Sequence, residues 1–198
     1  MATAAFGFRM HSGWGVLVAV SGVDARPQIL FRGRIVVTDP SAPGGNQPYH
    51  YAATLPSQES EPHVSNAFTQ SAKLALATVR DALHELERQK YRVVSSAVLM
   101  AAGRSLPPLP KILASHPLIH TAEGEFFRKV VINACNELKV PVTQIREREL
   151  DQQAKSAFGR QASEISRKIS GMGAELGPPW TADHKAATLA ALLTLKRL

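Results

Sequence analysis

The segment from His116 to Arg128 (HPLIHTAEGEFFR) holds the densest group of side chains in this chain that could do chemistry. It contains two histidines and two carboxylates around the predicted start of a helix. Histidine exchanges protons near neutral pH, and two histidines spaced i, i+4 can bind a metal from one helical face. Acid–base catalysis and metal binding are therefore the two chemistries that this segment allows.

The two histidines of this segment, His116 and His120, have the i, i+4 spacing. Pro117 lies between them, which indicates a loop or the first turn of a helix, and the HExxH arrangement of zinc proteases is not present. Local packing or hydrogen bonding is the favoured interpretation of the pair, and metal ligation is the alternative.

Two predicted helix starts resemble each other, Thr121-Ala-Glu123 and Thr181-Ala-Asp183. In both, the threonine can cap the helix and the acid meets the positive end of the helix dipole. Capping therefore explains both acids without any function. Glu125 lies beyond the capping turn, and capping explains it less well.

A functional interpretation follows from where such helices begin. Helices that follow parallel strands start at the carboxyl edge of the sheet, where open α/β sheets bind ligands. We therefore expect Glu123 and Asp183 to face one crevice, with histidines beside them. The candidate catalytic residues are His11, His120, Glu123, Glu125 and Asp183. The candidate ligand-binding residues are Arg104, His116 and His184.

Three predicted strands open the chain. The valine-rich run 14–20 predicts a buried strand that can begin near Phe6, with Gly13 and Gly15 favouring a bulge or a close backbone approach. Residues 28–37 predict a second strand, and residues 49–55 (YHYAATL) a short third one. Because the connections are short, we expect an antiparallel meander.

The pattern then becomes alternately helical and extended. Helical periodicity runs from about 64 to 90, and the apolar run 93–101 is typical of a buried parallel strand. A helix over about 122–138, a strand over 140–148 and a final helix over about 182–195 follow. The polar stretch between the last two is predicted to be helix-compatible up to 170 and a loop from 171 to 180.

The element order, β-β-β-α-β-α-β-α, resembles the ribonuclease H-like fold, which ribonuclease H, RuvC-type junction resolvases and the halves of actin-like ATPases share. The resemblance covers nearly the whole chain and rests on element order. It implies one α/β domain over 1–198, with a mixed five-stranded sheet flanked by helices and an insertion at about 149–180.

In this fold the resemblance implies two-metal phosphodiester cleavage, with acids from the first strand, a later strand or helix, and the last helix holding Mg²⁺ or Mn²⁺. Asp183 resembles the acid near the start of the last helix in the resolvase branch. The first strand departs from the pattern, because Met10, His11, Ser12 and Gly13 lie where an aspartate is expected. The strand at 93–101 has no acid either.

Composition narrows the location and the partners. The formal net charge is +7, which favours an anionic partner such as nucleic acid, although no Lys/Arg run marks a binding tail. Cys135 is the one cysteine, which excludes an internal disulfide, and we expect it to be buried. No window is apolar enough to span a bilayer and no signal peptide is evident, so we expect a cytoplasmic protein.

Three functions follow from these observations. The missing first-strand acid favours a catalytically divergent binding or assembly module with an anionic partner. The first alternative is a nuclease or phosphoryl-transfer enzyme that uses Mg²⁺ or Mn²⁺ with Glu123, Glu125 and Asp183. The second is a small-molecule enzyme with histidine acid–base chemistry at His11, His116 or His120. The sequence does not specify an oligomeric state.

Overall fold

A five-stranded mixed sheet is the centre of the computed structural model, which describes residues 1–22, 27–101 and 105–198. The strand order is β3-β2-β1-β4-β5. Strand β1 pairs antiparallel with β2 and parallel with β4, β2 pairs antiparallel with β3, and β4 pairs parallel with β5. The strands are β1 (Ala2–Met10), β2 (Trp14–Ser21), β3 (Gln28–Val36), β4 (Tyr91–Met100) and β5 (Val142–Arg146).

Helices cover both faces of this sheet. The helices are α1 (Pro48–Ala52), α2 (Ser57–Arg88), α3 (Leu109–Leu113), α4 (His116–Glu137), α5 (Leu150–Phe158), α6 (Ala162–Gly171), α7 (Gly173–Leu176) and α8 (Ala182–Lys196). Helices α2 and α4 share one core with the sheet, and α8, backed by α5 and α6, shares the other. The predicted fold class, a mixed sheet of five strands between helices, is confirmed.

Strand β1 separates the two cores by the two-residue period of its side chains. Phe6 and Phe8 pack with α2 and α4, whereas Ala5 packs with α8. Gly7 also faces α8, where an added Cβ would lie 1.9 Å from the backbone oxygen of Ala187. The last helix therefore lies directly against the backbone of β1, and glycine is the residue that permits it.

The N-terminal strand prediction was wrong in one respect. The run from Phe6 to Val20 is not one strand but two, because the chain reverses between Met10 and Trp14. Gly13 has φ +80°, and the amide of His11 donates to the carbonyl of Trp14 at 2.8 Å, which closes a tight turn. Of the four residues expected on the first strand, Met10 is its last residue, and His11, Ser12 and Gly13 lie in the turn. Strand β1 itself carries no acid.

The third predicted strand, 49–55, was also wrong. Residues Pro48–Ala52 form the short helix α1, with proline at the first helical position and the amide of Tyr51 bonded to the carbonyl of Gln47 at 3.0 Å. Ala52 is buried, and α1 packs against α2, α3 and α4. The number of strands is nevertheless five, as predicted. The first predicted strand is two strands, β1 and β2, and the third predicted strand is a helix.

Two helices begin earlier than predicted. Helix α2 begins at Ser57 and continues through Pro62, and α4 begins at His116, so Pro117 lies in its first turn. The stretch 149–170 is helical as expected, and its apolar residues Phe158, Ile165 and Ile169 are buried. The segment 171–180 was predicted to be a loop, but it contains α7.

Cys135 is buried in α4, as predicted, and burial raises the pKa of its thiol to about 12. Among the described residues, no helix is both long and apolar enough to cross a membrane.

Candidate functional site at the carboxyl edge of the sheet

Arg9 is the centre of a group of charged side chains at the carboxyl end of β1. Its Nε and Nη2 donate to the two carboxylate oxygens of Glu147 at 3.2 and 3.1 Å. Its Nη1 donates to Oδ1 of Asp183. One guanidinium thus binds one acid in bidentate fashion and a second acid through its remaining edge, the geometry to which arginine is suited.

The fold explains why these three residues meet. Strands β1 and β5 both run parallel to β4, so their carboxyl ends lie at the same edge of the sheet. Glu147 directly follows β5 in a 3-10 turn, and Asp183 lies in the first turn of α8. Arg9 is on the α8 side of β1, in step with Ala5 and Gly7.

Asp183 is free for this role because other residues cap α8. Thr181 is the N-cap, and His184 completes a capping box: its Nδ1 lies 2.9 Å from the Thr181 hydroxyl and 3.3 Å from the Thr181 amide. Thr181 is thus the cap, as predicted, and Asp183 binds the arginine instead. The matching prediction for Thr121 and Glu123 was wrong, because α4 begins at His116 and Thr121 lies inside it, bonded to the carbonyl of Pro117 at 2.9 Å. Burial, and secondarily the charge of Arg32, lower the pKa of His184, although Asp183 opposes them.

Histidine 11 completes the hydrogen bonding of Asp183. His11 Nε2 lies 3.0 Å from Oδ2 of Asp183, and its ring stacks on Trp14 at 4.4 Å between centroids. The exposed Arg34 lies over the same indole, with its guanidinium carbon 4.4 Å from the ring centroid.

Burial alone would lower the pKa of Arg9, but the hydrogen bond and charge of Glu147, together with Asp183, raise it.

A cleft of about 400 Å³ opens beside this group. Trp14, Arg34, Asp183 and His184 line it, together with Arg32. Arg32 donates to the carbonyl of Gly177 at 2.9 Å and to those of Leu176 and Pro179, so it fixes the segment that leads into α8. The cleft therefore has fixed walls, two arginines and an aromatic surface.

A second group lies on the other face of the sheet. His116 and His120, on the first turns of α4, approach His50 of α1, with ring centroids 4.4 to 5.3 Å apart. The buried Glu123 accepts from His50 Nδ1 at 3.0 Å and from the His50 amide at 3.2 Å. A carboxylate can only accept, so His50 Nδ1 carries the hydrogen.

The expectation of one crevice for both acids was wrong. Glu123 belongs to α4 on one face of the sheet, and Asp183 belongs to α8 on the other. The candidates therefore divide into two groups: His11, Asp183 and His184 in one, and His116, His120 and Glu123 in the other.

The remaining two candidates lie apart from both groups. Glu125 faces a different cleft, beside α2, and pairs with Arg128 at 3.5 Å. Arg104, a candidate for anion binding, lies outside the described residues.

Sequence reasoning missed three residues of these groups, Arg9, Glu147 and His50. Arg9 was missed because the resemblance implies an acid, and not an arginine, on the first strand. His50 was placed on a strand that is a helix, although Pro48 two positions earlier is a signal for a helix start. Glu147 lay near the carboxyl end of the strand predicted over 140–148, and that position was a usable signal for the carboxyl edge.

Two solved structures of RuvC are similar in fold to this chain. The structure of T. thermophilus RuvC in complex with Holliday junction substrate is 16% identical, with a TM-score of 0.55, and the match covers 98% of this chain and 93% of that one. A second Thermus thermophilus RuvC structure matches over the same shares at 16% identity and a TM-score of 0.54. No protein-family model matches the chain, and no curated protein matches it significantly. The ribonuclease H-like fold is thus confirmed.

Proposed function

We propose that this chain is a catalytically divergent ribonuclease H-like domain that binds nucleic acid at the carboxyl edge beside β1. The observation that carries the proposal is the position of Arg9, which stands between two acids where the resemblance implies a divalent cation. An arginine at that place supplies one permanent positive charge against the two carboxylates and occupies the position between them.

The hydrogen bonding of the two acids supports this proposal. Each of the four carboxylate oxygens of Glu147 and Asp183 has a cationic or imidazole partner: Arg9 bonds three of them and His11 the fourth. Mg²⁺ and Mn²⁺ need such oxygens as ligands. Metal binding would therefore require the ion pairs of Arg9 to break first.

The same arrangement makes the edge suitable for a polyanion. Because Arg9 offsets one of the two negative charges, the acids repel phosphates less strongly. The exposed Arg34 and the aromatic pair of Trp14 and His11 then offer a phosphate contact and a stacking surface beside the cleft. The net charge of +7 adds long-range attraction. The junction DNA bound by a protein of the same fold further favours nucleic acid over other anions.

Fluorescence anisotropy with labelled single-stranded DNA, duplex DNA and a four-way junction tests this proposal. We expect binding that weakens steeply from 50 to 200 mM salt, as counterion release requires. Arg34→Ala is expected to raise the Kd by about 5- to 20-fold, consistent with about 1–2 kcal/mol for a cationic contact that also stacks. Arg80→Ala, an exposed arginine on α2 on the other face, is the matched control. Equal Kd values for the two variants, or no binding at 50 mM salt, would contradict the proposal.

A divalent-metal nuclease is the second candidate, because Glu147 and Asp183 converge on one point at the carboxyl edge. In that case the metal, and not Arg9, would lie between the acids during turnover. The test is incubation of the same substrates with Mg²⁺ or Mn²⁺. Cleavage by the wild type that Asp183→Asn abolishes would overturn the non-catalytic proposal and establish this one.

The histidine acid–base hypothesis stays a prediction. His116 and His120 lie together with His50, whereas His11 lies with Asp183 on the other face of the sheet, so a site of this kind would use either His11 or the pair on α4. The cytoplasmic location stays a prediction.

A further inference from the structure

We propose that His50, His116 and His120 form a binding site for one divalent transition metal ion, with Zn²⁺ as the best-suited ion. Each histidine offers one ring nitrogen, and the three nitrogens all lie within 4.8 Å of one another. The site lies between α1 and the first turns of α4, away from Arg9, and it does not depend on the proposed nucleic-acid function.

The geometry of the three histidines is close to that of a bound ion. Zn–N bonds of about 2.0–2.1 Å in a tetrahedral site place ligand nitrogens roughly 3.3 Å apart. The widest pair of nitrogens must therefore approach by at most about 1.5 Å, which side-chain rotation can supply. His116 and His120 are exposed and one turn apart on α4, so both rings are free to move toward His50.

Glu123 gives His50 the orientation of a metal ligand. Because Nδ1 of His50 donates to Oε1 of Glu123 at 3.0 Å, the other ring nitrogen, Nε2, keeps its lone pair for coordination. A carboxylate behind a histidine ligand fixes the tautomer of the ring and raises its basicity, and metal sites use this arrangement widely. Its presence behind the most buried of the three histidines distinguishes the cluster from a chance meeting of imidazoles.

The burial of Glu123 is a second and independent indication. Its side chain is 1% exposed, and among the described residues its Oε2 has no hydrogen-bond partner. A buried carboxylate with one oxygen unpaired is costly unless positive charge lies near it. A metal ion on His50 would place that charge directly behind the ring that Glu123 already holds.

The donor set selects the class of ion. Three imidazole nitrogens suit Zn²⁺ and its transition-metal neighbours, whereas Mg²⁺ and Ca²⁺ require oxygen ligands. Because two of the three histidines are exposed, a fourth coordination position faces solvent and would hold water or an external ligand. The alternative explanation is an ion pair between His50 and Glu123 without any metal.

Metal content and affinity separate these explanations. The full chain, with any affinity tag removed, is loaded with Zn²⁺, dialysed and measured by elemental analysis, and its Kd is obtained by competition with a chromophoric chelator. We expect one Zn²⁺ per chain. His116→Ala and His120→Ala should each raise the Kd by about 100-fold or more, and Glu123→Gln, which keeps an acceptor for His50 Nδ1, by about 10- to 100-fold.

His84→Ala is the matched control, because His84 is an exposed histidine on α2 outside the cluster. It should retain the stoichiometry and the affinity of the wild type. The exposed positions of His116 and His120 keep both variants folded, which circular dichroism verifies. A visible spectrum of tetrahedral Co²⁺, lost in His120→Ala and retained in His84→Ala, supports the assignment directly.

Two results would overturn it. The first is a Zn²⁺ content near zero after dialysis of correctly folded wild type, and the second is binding that the His116→Ala/His120→Ala double variant retains. Either result leaves the ion pair of His50 with Glu123 as the explanation of the cluster. Neither affects DNA binding at the Arg9 edge, so failure of the metal site and failure of the proposed function remain distinguishable.

Discussion

Arg9 and Asp183 are 174 positions apart in the sequence, yet they form an ion pair across the carboxyl edge of the sheet. The contact joins the end of the first strand to the first turn of the last helix. Glu147, which follows the last strand, binds the same guanidinium at 3.1 and 3.2 Å. One side chain on β1 therefore links three elements of the fold at the place where the fold class implies metal chemistry.

Replacement of Arg9 by methionine should destabilise the protein. Arg9→Met keeps an unbranched apolar stem but removes the guanidinium, so Glu147 and Asp183 face each other without their shared countercharge. We expect the free energy of unfolding to fall by about 1.5–3 kcal/mol, the range for hydrogen bonds to charged groups. Urea denaturation of the wild type and the variant measures this difference in the free energy of unfolding.

A double-mutant comparison shows whether the acids cause that loss. If repulsion between them is responsible, adding Asp183→Asn to Arg9→Met should restore part of the stability, because one of the two charges is removed. A double variant that is less stable than Arg9→Met by the full cost of Asp183→Asn alone would contradict this explanation.

Removal of the guanidinium should also expose a cation site. In Arg9→Ala, three carboxylate oxygens of Glu147 and Asp183 lose their donors. Oxygen-rich sites of this kind bind Mg²⁺, which the three histidines do not suit. We expect Mg²⁺ binding by isothermal titration calorimetry in Arg9→Ala at millimolar concentration or below, and none in the wild type at the same concentration. Arg34→Ala is the control. Equal binding by the wild type and Arg9→Ala would show that Arg9 does not replace a cation.

The close contact of β1 with α8 leads to a prediction about Gly7. An added Cβ would meet the backbone oxygen of Ala187 at 1.9 Å and the Cβ of Ala191 at 3.2 Å, and backbone cannot rotate away as a side chain can. Gly7→Ala should therefore cost about 1–3 kcal/mol, the usual range for overpacking. Gly171→Ala, at the end of α6, is the matched control, because no atom lies within 4 Å of the added Cβ. Its free energy of unfolding should rise by about 0.5–1 kcal/mol.

The architecture was predictable where periodicity is long. Helix α2, strand β4 and helix α8 each bury one regular stripe or an unbroken apolar run, so local pattern and tertiary packing agree. They disagree at α1, where the alternation of Tyr49, His50 and Tyr51 imitates a strand. The packing of this segment against α2, α3 and α4 decides in favour of a helix.

The site was less predictable than the fold because its contacts are distant in sequence. Arg9 lies 138 positions from Glu147 and 174 from Asp183, and neither separation leaves a local signal. His116 and His120 carried a recognisable i, i+4 pattern. Their third partner, His50, lay in a segment that was predicted to be a strand but is a helix. The sequence therefore allowed metal binding by His116 and His120, but it did not identify His50 as the third ligand.

His184 predicts how stability depends on pH. Burial lowers its pKa below the ordinary value of about 6.5, so the folded state resists protonation more than the unfolded state does. Above pH 6.5 both states are neutral at this residue, and its contribution to stability is complete. As the pH falls below 6.5, the unfolded state takes up the proton first, so the free energy of unfolding decreases until the pH has passed through the folded pKa.

The matched variant for this effect is His184→Gln, because glutamine at the third helical position can still accept from the amide of Thr181 but does not titrate. The chain has seven histidines, so the informative quantity is the difference between the two proteins and not the slope of either. Urea denaturation from pH 7.5 to pH 5 should show a steeper loss of stability in the wild type. Parallel curves would mean that the pKa of His184 is the same in the folded and unfolded states, and that the capping box tolerates the charged ring.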